Sequence, residues 1–207
     1  MIKQETVYEM RLVSALEKVF LDERPVYRPE CMKLTALKGE TVSFQAACTC
    51  TSFMKNRVKV RIESPISDRI HVRKVENVPA GRVCGPIVDD NYLKTESGLY
   101  PDLLRELVDG EVDIFPQKWR SIWIDIEVTE DVKAGLYPVT VILEKDGETL
   151  ARAATEVTIY DAVLPKQKMM HTEWFYLDCL ADYYHVPVFS EEYWEHITNY
   201  LKEYVKR

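Results

Sequence analysis

Ser121-Ile122-Trp123-Ile124-Asp125-Ile126-Glu127-Val128 decides the fold class of this chain. Ile122, Ile124, Ile126 and Val128 recur at every second position, with Trp123, Asp125 and Glu127 between them. Successive side chains point to opposite faces of a strand, so this run has one apolar and one polar face, the pattern of a half-buried β-strand. The turn Asp131-Val132-Lys133-Ala134-Gly135 feeds a second run with Tyr137, Val139, Val141 and Leu143 on one face. Asp146-Gly147 then separates two alternating runs, as a type I′ hairpin turn with positive φ at both central residues would require. Thr149, Ala151, Ala153, Thr155, Val157 and Ile159 share a face of the returning strand, and Val163-Leu164-Pro165 closes the stretch. Three antiparallel strands in a row, each with one apolar face, need a second sheet to cover them. The expected fold class is mainly β, an antiparallel β-sandwich occupying residues 1–165.

The segments upstream fit that class. Strands are expected from Thr41 to Cys50, from Arg57 to Glu63, and from Ile70 to a point before Pro79. Residues 6–20 suit a helix or a strand, and the β character of the neighbouring sequence favours a strand. Arg24-Pro25-Val26-Tyr27-Arg28-Pro29 reads as an extended connection, because proline disfavours helix in the residue before it. From Ala80 to Lys118 the periodicity lapses, leaving room for a helical turn at Asp102 to Leu107. Tyr92, Leu99, Tyr100, Leu103, Leu104 and Phe115 nevertheless make this region too apolar for a disordered linker.

Beyond Pro165 the character changes. Lys166-Gln167-Lys168 reads as a joint, Met169 to Leu177 as a strand, and Asp178 to Phe189 as a loop. Ser190 is a credible N-cap for a helix carrying Tyr193, Ile197, Leu201 and Tyr204 on one stripe. Strand, loop and helix make half of a βαβ unit. The helix ends without a Gly or Asn cap, so residues 166–207 are expected to open a second domain of a longer protein.

A length of 207 residues, 46% hydrophobic content and a net charge of −7 describe a globular chain with a mildly acidic surface. Nucleic-acid and anionic-membrane binding would need clustered Lys and Arg, and neither partner is expected. No apolar run reaches membrane-spanning length, and Met1-Ile2-Lys3-Gln4-Glu5-Thr6 contains no signal-peptide core. A cytoplasmic location is expected, unless a leader has been removed. The five cysteines (Cys31, Cys48, Cys50, Cys84 and Cys179) lack C-x-x-C spacing, so no metal or other cofactor is expected and buried thiols are the reading.

Several motifs resemble the N-terminal region of glycoside hydrolase family 123. They are Ser97-Gly98-Leu99-Tyr100-Pro101-Asp102-Leu103-Leu104, the run from Trp119 to Trp123, Asp131 to Tyr137, Val163-Leu164-Pro165, and His171-Thr172-Glu173-Trp174-Phe175. The resemblance extends from about residue 85 to the end and is thinner before it. It implies a β-sandwich followed by a (β/α)₈ barrel, of which residues 166–207 would be the first β/α unit. It also implies β-N-acetylgalactosaminidase activity with retention, in which the substrate's 2-acetamido oxygen is the nucleophile and an adjacent Asp-Glu pair assists. That pair matches nothing in this chain; Asp89-Asp90 and Glu191-Glu192 are doublets in the wrong places. One departure from the family pattern is Pro138 after the Gly-x-Tyr turn, which points to an edge position because proline cannot donate to a ladder.

If Met169 to Leu177 is the first barrel strand, Glu173, Trp174, Tyr176 and Asp178 lie near its active-site end. Aromatic rings stack on sugars and carboxylates accept from hydroxyls, so these four are the candidate substrate-binding residues. Packing for Trp174 and Tyr176, and an ion pair for Glu173, is the competing reading. His171 and His185 have no nucleophile motif nearby. Trp123, Asp125 and Glu127 form a carbohydrate-binding face, a docking face for the barrel or a solvated face. The sequence thus supports a non-catalytic N-terminal piece of a glycosidase acting on N-acetylgalactosamine-containing glycans; the alternative is a carbohydrate-binding or structural sandwich. Exposed apolar residues in 169–207 would be covered by docking on the sandwich or by a homodimer.

Overall fold

In a computed structural model of the chain, residues 6–26, 28–81, 92–166, 168–170 and 172–206 are described. Cys84, Asp89, Asp90 and His171, together with the Cys31 side chain, lie outside the described residues. Two compact units result, Met1–Pro165 and Lys166–Arg207.

The described residues of the first unit hold ten strands: β1 (Tyr8–Ser14), β2 (Lys33–Lys38), β3 (Glu40–Cys50), β4 (Asn56–Glu63), β5 (Ile70–Ala80), β6 (Gly98–Glu106), β7 (Glu111–Ile114), β8 (Arg120–Val128), β9 (Gly135–Lys145) and β10 (Glu148–Val163). They form two five-stranded sheets, ordered β1-β3-β8-β5-β6 and β2-β10-β9-β4-β7. The pairings are antiparallel except for β2 with β10, which run parallel. This is a β-sandwich. Its core is Phe44, Ala46 and Cys48 of β3 and Ile122, Ile124, Ile126 and Val128 of β8, facing Val58, Val139, Val141, Leu143, Val157 and Ile159 of the other sheet. Alternation in each strand aims these residues inward, and close packing of branched side chains holds the layers together.

Three expectations are corrected. The first is the row of three consecutive antiparallel strands. β8 pairs with β3 and β5, whereas β9 and β10 belong to the opposite sheet. The segment Thr129–Ala134 therefore carries the chain from one layer to the other, and only β9 and β10 form a hairpin, turning at Asp146 (φ 52) and Gly147 (φ 84).

Secondly, residues 102–107 are not a helical turn. They lie mostly in β6, with Leu104 opposite Val75 and Leu99 opposite Pro79. Proline is accepted here because β5 continues beyond Lys74↔Ile122, its last pair with β8. From that point it has a partner on one side only. Pro138 follows the same rule. β9 is central in its sheet, yet β4 stops at Glu63↔Thr140, so the start of β9 is locally an edge.

Thirdly, the described residues of Met169 to Leu177 hold no strand and Asp178 to Phe189 is not all loop. The second unit consists of α1 (Asp178–Tyr184) and α2 (Glu191–Lys206). A strand needs a hydrogen-bonded neighbour, and none pairs with 172–177 among the described residues. Ser190 caps α2 as expected, its Oγ accepting from the Tyr193 N–H at 3.2 Å. His185 ends α1 in the left-handed region (φ 56).

Candidate functional site

Residues 172–176 lead into α1, and the four predicted substrate-binding residues occupy this approach and the first helical position. Trp174 is 99% exposed and Tyr176 is 78% exposed. Glu173 accepts a hydrogen bond from the Tyr204 hydroxyl; partial burial and then this carboxylate raise the tyrosine above its usual pKa. Phe175 meets the Tyr204 ring edge-on at 5.2 Å. Together these contacts tie the approach segment to the last turn of α2. Asp178 opens α1, where the positive end of the helix favours an anion. The Tyr176 carbonyl accepts from the Cys179 thiol at 2.9 Å. Glu173, Trp174, Tyr176 and Asp178 are thus neighbours along the chain, two of them open aromatic surfaces and two carboxylates.

Between the helices lies a cluster that sequence reasoning missed. Tyr184 stacks on His196 at 3.7 Å with the rings 8° from parallel, and its hydroxyl lies 3.1 Å from that of Tyr200. Reading 178–189 as a loop concealed it. Its signal is the pair His196 and Tyr200, four apart on one helix face.

The outward face of the β8 sheet is not the open polar surface that alternation suggests. Asp125 is only 5% exposed. It accepts from Ser43 Oγ at 2.5 Å and Trp123 Nε1 at 2.7 Å, and it pairs with the Arg73 guanidinium. Gln45 is buried beside it, accepting from Ser121 Oγ at 2.6 Å and donating to the carbonyls of Ser14 and Glu17. Val19 packs on Val13, Ala47 and Trp119, so the segment after β1 covers this end of the face. Glu127 lies 3.6 Å from His71. The carboxylate and the indole N–H are therefore already engaged within the sheet.

At one end of the sandwich Glu76 binds Lys74 at 2.6 Å and Arg120 at 3.1 Å, and these partners, Lys74 first, hold it below the ordinary carboxylate range. Cys48 is fully buried and its thiol is pushed up to about 12 by loss of solvation, which leaves it protonated and unreactive. No group of His, Cys, Asp and Glu among the described residues is placed to hold a metal ion. No described helix is long and apolar enough to cross a membrane.

Comparison with known proteins gives an ordered pair of matches. The glycoside hydrolase 123 N-terminal domain matches residues 20–145, and the glycoside hydrolase 123 catalytic domain matches residues 174–207. No curated protein matches the sequence. Among solved structures, a family 123 glycoside hydrolase from Clostridium perfringens, studied for glycolipid glycan hydrolysis, superposes with a TM-score of 0.64 at 17% identity. The superposition covers 97% of this chain and 36% of that enzyme, so the chain spans about a third of its length. The CARDB domain of a Pyrococcus furiosus protein follows at a TM-score of 0.37 and 6% identity, covering 75% of this chain and 96% of that one. Since the N-terminal domain match alone takes in more than half of the residues, the chain belongs to glycoside hydrolase family 123.

Proposed function

We propose that this chain is the non-catalytic N-terminal part of a glycosidase that acts on N-acetylgalactosamine-containing glycans, with the sandwich as an accessory domain and 166–207 as the start of the catalytic one. The observation that carries the reading is the order of the two family matches, N-terminal domain and then the opening of the catalytic domain. Glu173, Trp174, Tyr176 and Asp178 form one wall of a sugar subsite, in which the rings stack on the pyranose and the carboxylates accept from its hydroxyls.

Two measurements on the 207-residue chain test this. Incubation with p-nitrophenyl N-acetyl-β-galactosaminide is expected to release no nitrophenol above the blank, and turnover would overturn the non-catalytic assignment. Saturation-transfer NMR with methyl N-acetyl-β-galactosaminide is expected to show weak contact that Trp174→Ala removes. Absence of contact, or contact indifferent to that substitution, removes the subsite assignment.

A further inference from the structure

We propose that Tyr204, near the end of α2, is a positioning residue for the sugar subsite, fixing the Glu173 carboxylate and turning Trp174 and Tyr176 to one side of the approach to α1. The inference rests on the reading of Glu173, Trp174, Tyr176 and Asp178 as that subsite. Two residues of the approach meet the same side chain. The Tyr204 hydroxyl donates to the Glu173 carboxylate, and the Tyr204 ring meets Phe175 edge-on at 5.2 Å. Contact at every second position is the period of an extended chain. Trp174 and Tyr176 therefore leave the chain on the side away from Tyr204, and both rings are open to solvent. At about 3.3 Å per residue their points of attachment stand about 7 Å apart on that side, so the two rings form one strip.

The packing of α2 fixes where Tyr204 stands. Tyr193, Ile197 and Tyr204 are spaced four and seven apart, which places them on one helix stripe. Tyr193 and Ile197 are buried with Ala181 of α1, and Tyr204 follows about 10 Å further along the axis. The contact that docks α2 on α1 thus also carries the phenol to the approach segment. Loss of solvation, and then the Glu173 carboxylate, hold its pKa above the usual tyrosine value, so it stays a donor through the neutral range. One hydrogen bond uses only one of the acceptor positions of a carboxylate. The others accept from sugar hydroxyls, and a carboxylate already held in one rotamer loses less freedom when the sugar binds.

Titration of the 207-residue chain with methyl N-acetyl-β-galactosaminide, read by saturation-transfer NMR, decides it. Tyr204→Phe keeps the ring against Phe175 and removes only the hydroxyl. Its Kd is expected to rise about three- to tenfold, with an unchanged far-UV circular dichroism spectrum. Glu173→Ala weakens binding by itself, and Tyr204→Phe added to it is expected to cost nothing more, because the hydroxyl acts through that carboxylate. A residue that merely supported the fold would weaken both backgrounds alike, and that result overturns the proposal. So does a Tyr204→Phe chain that binds as the parent does while Trp174→Ala abolishes contact, which leaves the subsite standing without Tyr204. A parent chain that makes no contact removes the subsite, and the role of Tyr204 with it.

Discussion

At the residue scale, Asp125 shows how far neighbours can change what a side chain is for. On an alternating strand it belongs to the outward, polar set, and an outward Asp beside a Trp suggests a sugar-binding surface. Its three donors convert it into the hub that locks β3, β5 and β8 together through Ser43, Arg73 and its own strand's Trp123. Removing a hub of this kind strands a cation, because the Arg73 side chain is only 15% exposed. Asp125→Ala is therefore expected to cost about 3 kcal/mol. Urea denaturation followed by tryptophan fluorescence measures it, and a loss within a few tenths of a kcal/mol of zero would mean that the network is decorative. Arg73→Met combined with Asp125→Ala is expected to recover part of the loss, since neither charge is then left unpaired.

At the element scale, the β9–β10 hairpin rests on backbone geometry that few residues tolerate. Gly147 has φ +84 with open space where a Cβ would stand, so substitution there strains the backbone without a steric clash. Gly147→Ala is expected to destabilise the sandwich by about 1 kcal/mol through conformation alone, while Gly147→Asn, which enters the left-handed region more readily, is expected to cost less. Equal losses for the two variants in thermal melts would count against this account. This turn was legible because its chemistry is local, and so were the alternating runs of β3, β4, β8, β9 and β10. The errors share a different cause. Nothing within Ser121 to Lys145 reports which sheet each run joins, so β8 and β9 look like neighbours when they are not. Leu103, Leu104 and Leu107 are spaced as a helix turn would space them, and only the pairing of Leu104 with Val75 makes them strand. For the candidate site the sequence offers only nearness along the chain, with Glu173, Trp174, Tyr176 and Asp178 within six positions. Their surroundings are not legible there: the Tyr204 hydroxyl that reaches Glu173 comes from 31 positions later.

At the scale of the whole molecule, two units of unequal solidity share the chain. The sandwich core collects more than twenty buried apolar residues, while Ala181, Tyr193 and Ile197 are the buried cluster of the helical unit. A core this small, even with the partly buried Leu177, Leu180 and Val186 packed against it, offsets little of the entropy of ordering two helices. Hydrogen exchange at low protein concentration is expected to show α2 amides opening locally, at free energies well below those of β3 and β8. Protection of α2 equal to that of β8 would show one cooperative unit instead.

The parallel partnership of β2 with β10 has a consequence for synthesis. Leu34 pairs with Val157, and Lys38 reaches Asp161 at 2.6 Å, so each contact joins residues more than 120 positions apart. A growing chain presents β2 early and must hold its ladder groups open until nearly the entire sandwich sequence has been made. Closure by the last strand makes assembly slow and nonlocal. The ribosome must thus release residue 163 before the second sheet can take its final order, and through that interval the nascent chain is most in need of a chaperone.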